Sequence, residues 1–226
     1  MIDFQPLGDR AFLATFATEA EAARWAGVLR IASLPGVVDV SLAYASAAVY
    51  ADADLVEDWD AWSQTLRSVV VEEEPNLPDG RILRIPVWYG GEDLGEVART
   101  IGATEAEVVA LHSGRDYRVF AVGFQPGFPY AGYLPERLSG LPRRTNPRVR
   151  VPSGSVAIAG RQTGIYPGES PGGWHLLGRT PCRVVDVEAG VFPIEPGDSL
   201  RFESITLAEF DRQYNLGNWP VEASLG

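Results

Sequence analysis

The sequence predicts an α+β protein in two parts. A small ferredoxin-like α/β domain is expected over residues 1–78, followed by a β-rich barrel or sandwich over residues 79–226. Three observations predict it. Residues 1 to about 75 show regular strand and helix periodicity. After Tyr117, short apolar runs are separated by Gly and Pro, as in barrels and sandwiches. Between these regions Glu72 to Gly80 (EEEPNLPDG) is polar, with two prolines and an Asp-Gly pair, and reads as a junction. The junction also divides the charge: residues 1–80 hold 4 Arg and 14 acids, whereas residues 81–226 hold 15 Arg and 16 acids.

Ala11 to Phe16 has the composition of a strand. Thr18 to about Ile31 reads as a helix, opened by the capping box Thr18-x-x-Glu21. Val37–Tyr44 and Ala47–Tyr50 are β-rich runs. A second helix is expected from a cap at Asp54, because Leu55, Trp59, Trp62, Leu66 and Val69 recur at three and four residues and share a face. With a strand at Arg81–Tyr89, the order β-α-β-β-α-β suggests a split βαβ unit. Two short helices follow, at Asp93–Ile101 and from the cap Thr104-x-x-Glu107 to about His112. The expected later strands are Tyr117–Phe124, Ser155–Ala159, Trp174–Leu177, Arg183–Val187 and Leu200–Ile205. A helix opened by Thr206-x-x-Glu209 precedes a loose tail, GNWPVEASLG.

Composition excludes several kinds of chemistry. The chain has no Lys, and therefore no P-loop lysine, Schiff-base lysine or biotin-accepting lysine. Two His and one Cys, at positions 112, 175 and 182, argue against a metal centre. Ser153 and Ser155 lack an evident His–Asp pair. A net charge of −11 argues against nucleic acid as the main partner. No apolar run approaches the roughly 20 residues that span a bilayer. The N-terminal MIDFQPLGD does not read as a signal peptide, so a cytoplasmic location is the expectation. His112 is expected as a helix C-terminal or core residue, and Phe120, Phe124 and Phe128 as barrel core.

The segment Tyr117–Cys182 stands apart from this acidic background. Arg115 to Arg183 contains ten Arg against three acids (Asp116, Glu136, Glu169). A local reversal of sign suggests an anionic ligand or an acidic partner surface; the competing reading is that these arginines pair with acids elsewhere in the fold. Aromatic residues interleave with the Gly and Pro, which marks a shaped surface rather than a disordered linker.

Within that segment GFQPGFPYAGYLP, PRRTNPRVRVPSGSVAIAG, QTGIYPGESPGGW and GRTP resemble the signature of the 5-oxoprolinase B-subunit family. That family is also called allophanate hydrolase subunit 1, a carboxyltransferase-domain family that includes the Kip-type kinase inhibitors. The likeness covers about sixty nearly uninterrupted residues and extends to PLGDRAFLATF, PGVVDVSLAYAS, IPVWYGGEDL, EVVALHS and PGDSLRF; Gln125 and His175 are minor departures. It implies that the second part is a cyclophilin-like β-barrel. It also implies an ATP-dependent complex with the A and C subunits of 5-oxoprolinase, which opens 5-oxo-L-proline to L-glutamate. The alternative it leaves open is an interaction module that inhibits a sensor histidine kinase. Because the chain has no P-loop, the ATP site is expected to be shared with a partner or carried by it.

Lactam opening through a phosphorylated amide oxygen requires cations for phosphate and carboxylate, and donors for the developing oxyanion. Arg143, Arg144, Arg148 and Arg179 suit the first two tasks. The turns Ser153-Gly154-Ser155 and Ser170-Pro171-Gly172-Gly173 suit the third. Gln162, Thr163 and Tyr166 add hydrogen-bonding groups, and these residues with Trp174 are expected to line one concave surface. The catalytic residues themselves are not legible.

Overall fold

A computed structural model of the chain describes residues 2–32, 34–69, 80–214 and 216–222. The chain divides into two compact units, Met1–Asp79 and Gly80–Gly226. The expected junction lies outside the described residues except for Gly80.

The first unit runs β1 (Asp3–Pro6), β2 (Ala11–Thr15), α1 (Glu19–Ala32), β3 (Val37–Ala43), β4 (Ser46–Ala51) and α2 (Trp59–Arg67). Its sheet has the order β1-β2-β4-β3. Strands β2 and β3 both run antiparallel to β4, which lies between them, so they are parallel to each other and joined by α1. This is a split βαβ arrangement. Arg81–Tyr89 is the strand expected to complete it, but the edge beside β2 is taken by β1, whose short Pro-containing run carries little strand signal. The apolar faces of α1 and α2 supply Trp25, Leu29, Trp62 and Leu66 to the core against Phe4, Val40 and Val49. Helix α1 starts where the sequence places it, with Glu21 N–H donating to Thr18 Oγ1 at 3.2 Å. Helix α2 begins later than expected. Asp52 closes its own turn by accepting from the N–H groups of Asp54, Leu55 and Val56. The cap passes to Asp58, whose carboxylate accepts from Ala61 N–H at 2.9 Å.

The second unit opens with β5 (Ile82–Val87), α3 (Leu94–Thr100) and α4 (Glu105–Ser113). Next come β6 (Asp116–Val122), β7 (Pro129–Gly132), β8 (Arg148–Val151), β9 (Ser155–Ala159), β10 (Gln162–Ile165), β11 (Ser170–Gly172) and β12 (His175–Arg179). It ends with β13 (Ser199–Ser204), α5 (Leu207–Tyr214) and β14 (Val221–Glu222). Eight strands form one sheet in the order β12-β9-β10-β7-β6-β13-β5-β14, while β8 and β11 pair separately. All pairs in the large sheet are antiparallel except β5 with β13. Two expectations fail here. Arg183–Val187 forms no strand and takes part only in a bridge between Asp186 and Val191. The tail expected to be loose instead pairs Val221 and Glu222 with Arg84 and Leu83.

Just past β5, Trp88 bridges to Arg179 at the end of β12, with each N–H donating to the other's carbonyl at 3.0 and 2.9 Å. Gly91 N–H then reaches Leu177 O at 3.0 Å and Asp93 N–H reaches Leu176 O at 3.1 Å. The two ends of the seven-strand run from β12 to β5 therefore meet through backbone hydrogen bonds. Glycine is needed where they meet. A methyl group on Gly178 would overlap the Trp88 carbonyl oxygen and lie 2.9 Å from Val87 Cγ1, and one on Gly91 would overlap Leu176 O.

Strand β9 is buried along its whole length because both of its faces are covered. Val156 and Ile158 join the main core with Ile85, Tyr117, Leu177 and Phe202. Ala157 and Ala159 face a second cluster formed by Phe128, Val151, Tyr166, Trp174 and Leu176. The aromatic residues of the Gly/Pro-rich segment thus build a separate apolar layer, which contains the cavity described next.

The crowding at the sheet closure generates a stability prediction. Gly178→Ala should lower stability by about 1–3 kcal/mol through overpacking, whereas Gly123→Ala, with open space around it, should be close to neutral. Thermal or urea unfolding of the two variants checks the difference.

Candidate functional site: an aromatic cup beside an acid-held arginine pair

The second cluster opens to the surface as a hollow of 230 Å³ whose walls include Phe124, Phe128, Tyr130, Tyr166 and Trp174. The rings pack mostly edge to face around Phe128: 5.2 Å to Tyr166, 5.4 Å to Trp174 and 5.5 Å to Phe124 between centroids. Pro147, Pro171, Gly172, Gly173 and Arg143 complete the cup. Gly172 is required by its neighbour, since a Cβ there would overlap the Tyr166 hydroxyl. Burial pushes the Tyr166 phenol upward, against a hydrogen bond from the Trp174 backbone and the Arg143 charge. Burial likewise raises the Tyr130 phenol against Arg143. Both hydroxyls therefore remain protonated at neutral pH.

Phe124 departs from expectation. It is 63% exposed rather than part of the core, and its backbone has φ of +68°, a left-handed conformation that strains a bulky residue. A turn imposes that geometry. Gly123 N–H donates to Phe128 O at 3.0 Å, Phe128 N–H donates to Gln125 O at 3.1 Å, and the Gln125 amide reaches Ser170 Oγ at 3.4 Å.

Arg144 and Arg148 are drawn toward Asp93, whose side chain is only 3% exposed. Asp93 Oδ1 accepts from Arg144 Nη1 at 2.8 Å and from Arg148 Nη2 at 2.7 Å, while Oδ2 accepts from Leu176 N–H at 2.7 Å. Burial alone would raise the Asp93 carboxyl, but the hydrogen bonds from Arg148 and Leu176 and the two guanidinium charges outweigh it and hold it below its ordinary value. Glu96 and Glu92 add outer pairs at 3.0 and 3.1 Å. The competing reading, that arginines pair with acids elsewhere in the fold, holds for these two residues.

The remaining expected site residues fall in several places. Arg143 borders both the cup and an adjacent polar hollow of 340 Å³ with Arg144, Thr145, Asn146 and His175. Ser170 braces the Phe124 turn through Gln125. Gln162 is half-buried in β10, paired with Gly132 and Ala159. Arg179 lies at the far end of β12 from Trp174, about 17 Å away at strand rise. There it donates to Ser153 O at 2.8 Å and to the Tyr214 hydroxyl at 3.1 Å, and its guanidinium lies 4.9 Å from the Tyr214 ring centre. The Gly154 and Ser155 N–H groups bond to Tyr166 O and Pro152 O, so that turn offers neither as an oxyanion donor.

Thr163 is fully buried and cannot meet a ligand in the cup. It belongs to a chain in which the Tyr89 hydroxyl meets His112 Nδ1 at 2.7 Å, His112 Nε2 meets Thr163 Oγ1 at 2.8 Å, and the Thr163 hydroxyl reaches Ala157 O at 3.2 Å. These roles close consistently for a neutral imidazole carrying its proton on Nε2. Burial pushes His112 down to about 3.

Among the described residues no group of three or more His, Cys, Asp or Glu is arranged to hold a metal ion. The fold and site together define a mixed α/β protein with an arginine-flanked aromatic cup sized for a small molecule. The chain belongs to the family of the carboxyltransferase domain, subdomain C and D, which it matches over residues 2–191. It is 52% identical over 136 residues to the B subunit of 5-oxoprolinase from Escherichia coli O157:H7, a match covering 58% of this chain and 62% of that protein. It is 36% identical over 227 residues to the corresponding 5-oxoprolinase subunit from Bacillus subtilis strain 168, covering 91% and 94%. The solved structure of TTHA0988 is similar at 38% identity with a TM-score of 0.76, over 87% of this chain and 40% of that one.

The charged and buried groups generate two predictions. Arg148→Ala should destabilise the fold by about 1–3 kcal/mol, because Asp93 loses one of its donors inside the protein; unfolding in urea measures this. The His112 pKa is lower in the folded than in the unfolded chain, so its contribution is complete above about pH 6.5 and declines as pH falls from there toward 3. Melting temperature should fall over that window, and His112→Gln should flatten the slope; equal slopes in the two proteins would contradict the assignment.

Proposed function

We propose that the chain is the B subunit of an ATP-dependent 5-oxoprolinase, converting 5-oxo-L-proline, ATP and water to L-glutamate, ADP and phosphate together with the A and C subunits. The observation that carries this reading is the identity of 36–52% to proteins that bear that subunit's name. The cup supports it, because it joins apolar ring walls to a guanidinium on the scale of a small cyclic acid. In this reading the amide oxygen of the lactam takes a phosphoryl group from ATP, and water then opens the activated carbonyl. The part of this chain is to orient the ring, neutralise its carboxylate and exclude bulk water.

ATP is a co-substrate here. With no P-loop lysine in the chain, its site is assigned to a partner protein or to a surface shared with one. The finer architecture belongs to the same reading. The Trp88–Arg179 closure supports taking the large sheet as a cyclophilin-like barrel, and the β1-β2-β4-β3 order supports a ferredoxin-like first domain. A cytoplasmic location suits a consumer of ATP.

Co-expression with the A and C subunits should give ATP-dependent release of glutamate from 5-oxoproline, whereas the purified chain alone should give little or none. Robust turnover by the isolated chain would contradict the division of labour. Absence of turnover in the complete, folded complex would contradict the function.

A further inference from the structure

Of the arginines between positions 143 and 150, three are engaged by acids: Arg144 and Arg148 by Asp93, and Arg150 by Glu169. Arg143 is exposed and makes no ion pair with any described residue, yet its charge reaches the hydroxyls of Tyr130 and Tyr166. Among the described residues it is the only charged one lining the cup, and no acid lines it. At the rim, Phe124 presents an exposed ring from a strained backbone. Strain of this kind persists where the surroundings enforce it, and it gathers at ligand sites.

We infer that this cup selects a small uncharged ring bearing a single carboxylate, and that Arg143 is the residue that sets the selection. The inference rests on the proposed function and deepens it: the site takes the closed lactam and rejects the opened product. In 5-oxoproline the ring nitrogen is an uncharged amide and the carboxylate is the only ion. The Arg143 guanidinium can receive that carboxylate through two parallel N–H donors. The ring then lies against Phe124 and Trp174. Burial keeps the proton on the Tyr166 hydroxyl, which lines the cup and can donate it to a lactam oxygen.

Glutamate presents a different set of charges. Its ammonium requires an acid, and its second carboxylate requires another cation; the described cup lining supplies neither. An ion without a partner among buried rings is strongly disfavoured. The volume agrees, since 230 Å³ falls below the roughly 300–1,000 Å³ of sites for drug-sized ligands. The same chemistry that admits the substrate expels the product, so the site would not be blocked by accumulating glutamate.

The test uses the complex with the A and C subunits, and the chain alone. In the complex, tetrahydrofuran-2-carboxylate, a neutral ring with one carboxylate, should compete with 5-oxoproline, whereas proline and glutamate should not at the same concentration. Arg143→Ala should raise KM for 5-oxoproline at least tenfold without moving the melting temperature, and Arg143→Lys should recover part of the loss. An unchanged KM in Arg143→Ala, or competition by glutamate equal to that of tetrahydrofuran-2-carboxylate, overturns the inference while leaving the function standing. If the wild-type complex is inactive, the function fails. Calorimetric titration of the chain alone with tetrahydrofuran-2-carboxylate and proline then decides the cup separately: preferential binding of the neutral ring, lost in Arg143→Ala, supports it, and no preference or no binding overturns it.

Discussion

The wall of the cup depends on one buried carboxylate, that of Asp93. Asp93 stands at the start of α3, bonds through one oxygen to the backbone of β12, and holds Arg144 and Arg148 through the other. Three segments distant in sequence are thereby fixed to one group. A carboxylate so nearly removed from water must be ionised and fully paired, or it destabilises the fold. Here two guanidinium groups and an amide N–H satisfy it. Gly91 lets the chain approach β12 closely enough for this contact, and the Trp88–Arg179 bridge lies beside it. The segment running from Arg143 to Arg148 is thus pinned from behind, which sets the wall of the cup formed by Arg143 and Pro147.

This arrangement divides the positive charge of the Gly/Pro-rich segment into separate roles. Arg144 and Arg148 serve the architecture, Arg179 lies over the aromatic face of α5, and Arg143 remains at the cup mouth. A run of like charges in sequence does not define one cleft: the adjacent Arg143 and Arg144 lie outside any strand and part company, one to the cup and the other to Asp93. What the segment does share is an apolar layer: Phe128, Tyr166 and Trp174 come from different loops and meet behind β9.

The legible parts of the sequence are those with local causes. The capping boxes at Thr104 and Thr206 place α4 and α5 to within a residue, because a side chain three positions away determines the helix start. Strands β6, β9 and β13 are visible as apolar runs. The strands β7, β8, β10 and β11, each three or four residues long, are not, since their pairing is decided by partners far along the chain. The same limit applies to the site. Arg143, Tyr166, Gly172, Gly173 and Trp174 are brought together in one cup. Thr163 is not, because nothing near it in sequence reveals that His112 lies 2.8 Å from its hydroxyl. Asp93 is absent from the expected site although it is the partner of the arginines; the acidic pair Glu92-Asp93 after Gly90-Gly91, just past a strand, is the one signal that could have pointed to it.

The resulting picture is a rigid, acid-pinned scaffold presenting a small aromatic cup with one unengaged cation among the described lining residues. Preorganisation of this kind lowers the cost of holding a small ring in a single orientation while a partner completes the chemistry. The most direct measurement is a crystal structure of the complex with the A and C subunits, soaked with 5-oxoproline in the absence of ATP. The lactam ring is predicted to lie between Phe124 and Trp174, with its carboxylate paired to Arg143. A cup filled by a partner's side chain, with the lactam bound elsewhere, would contradict that prediction.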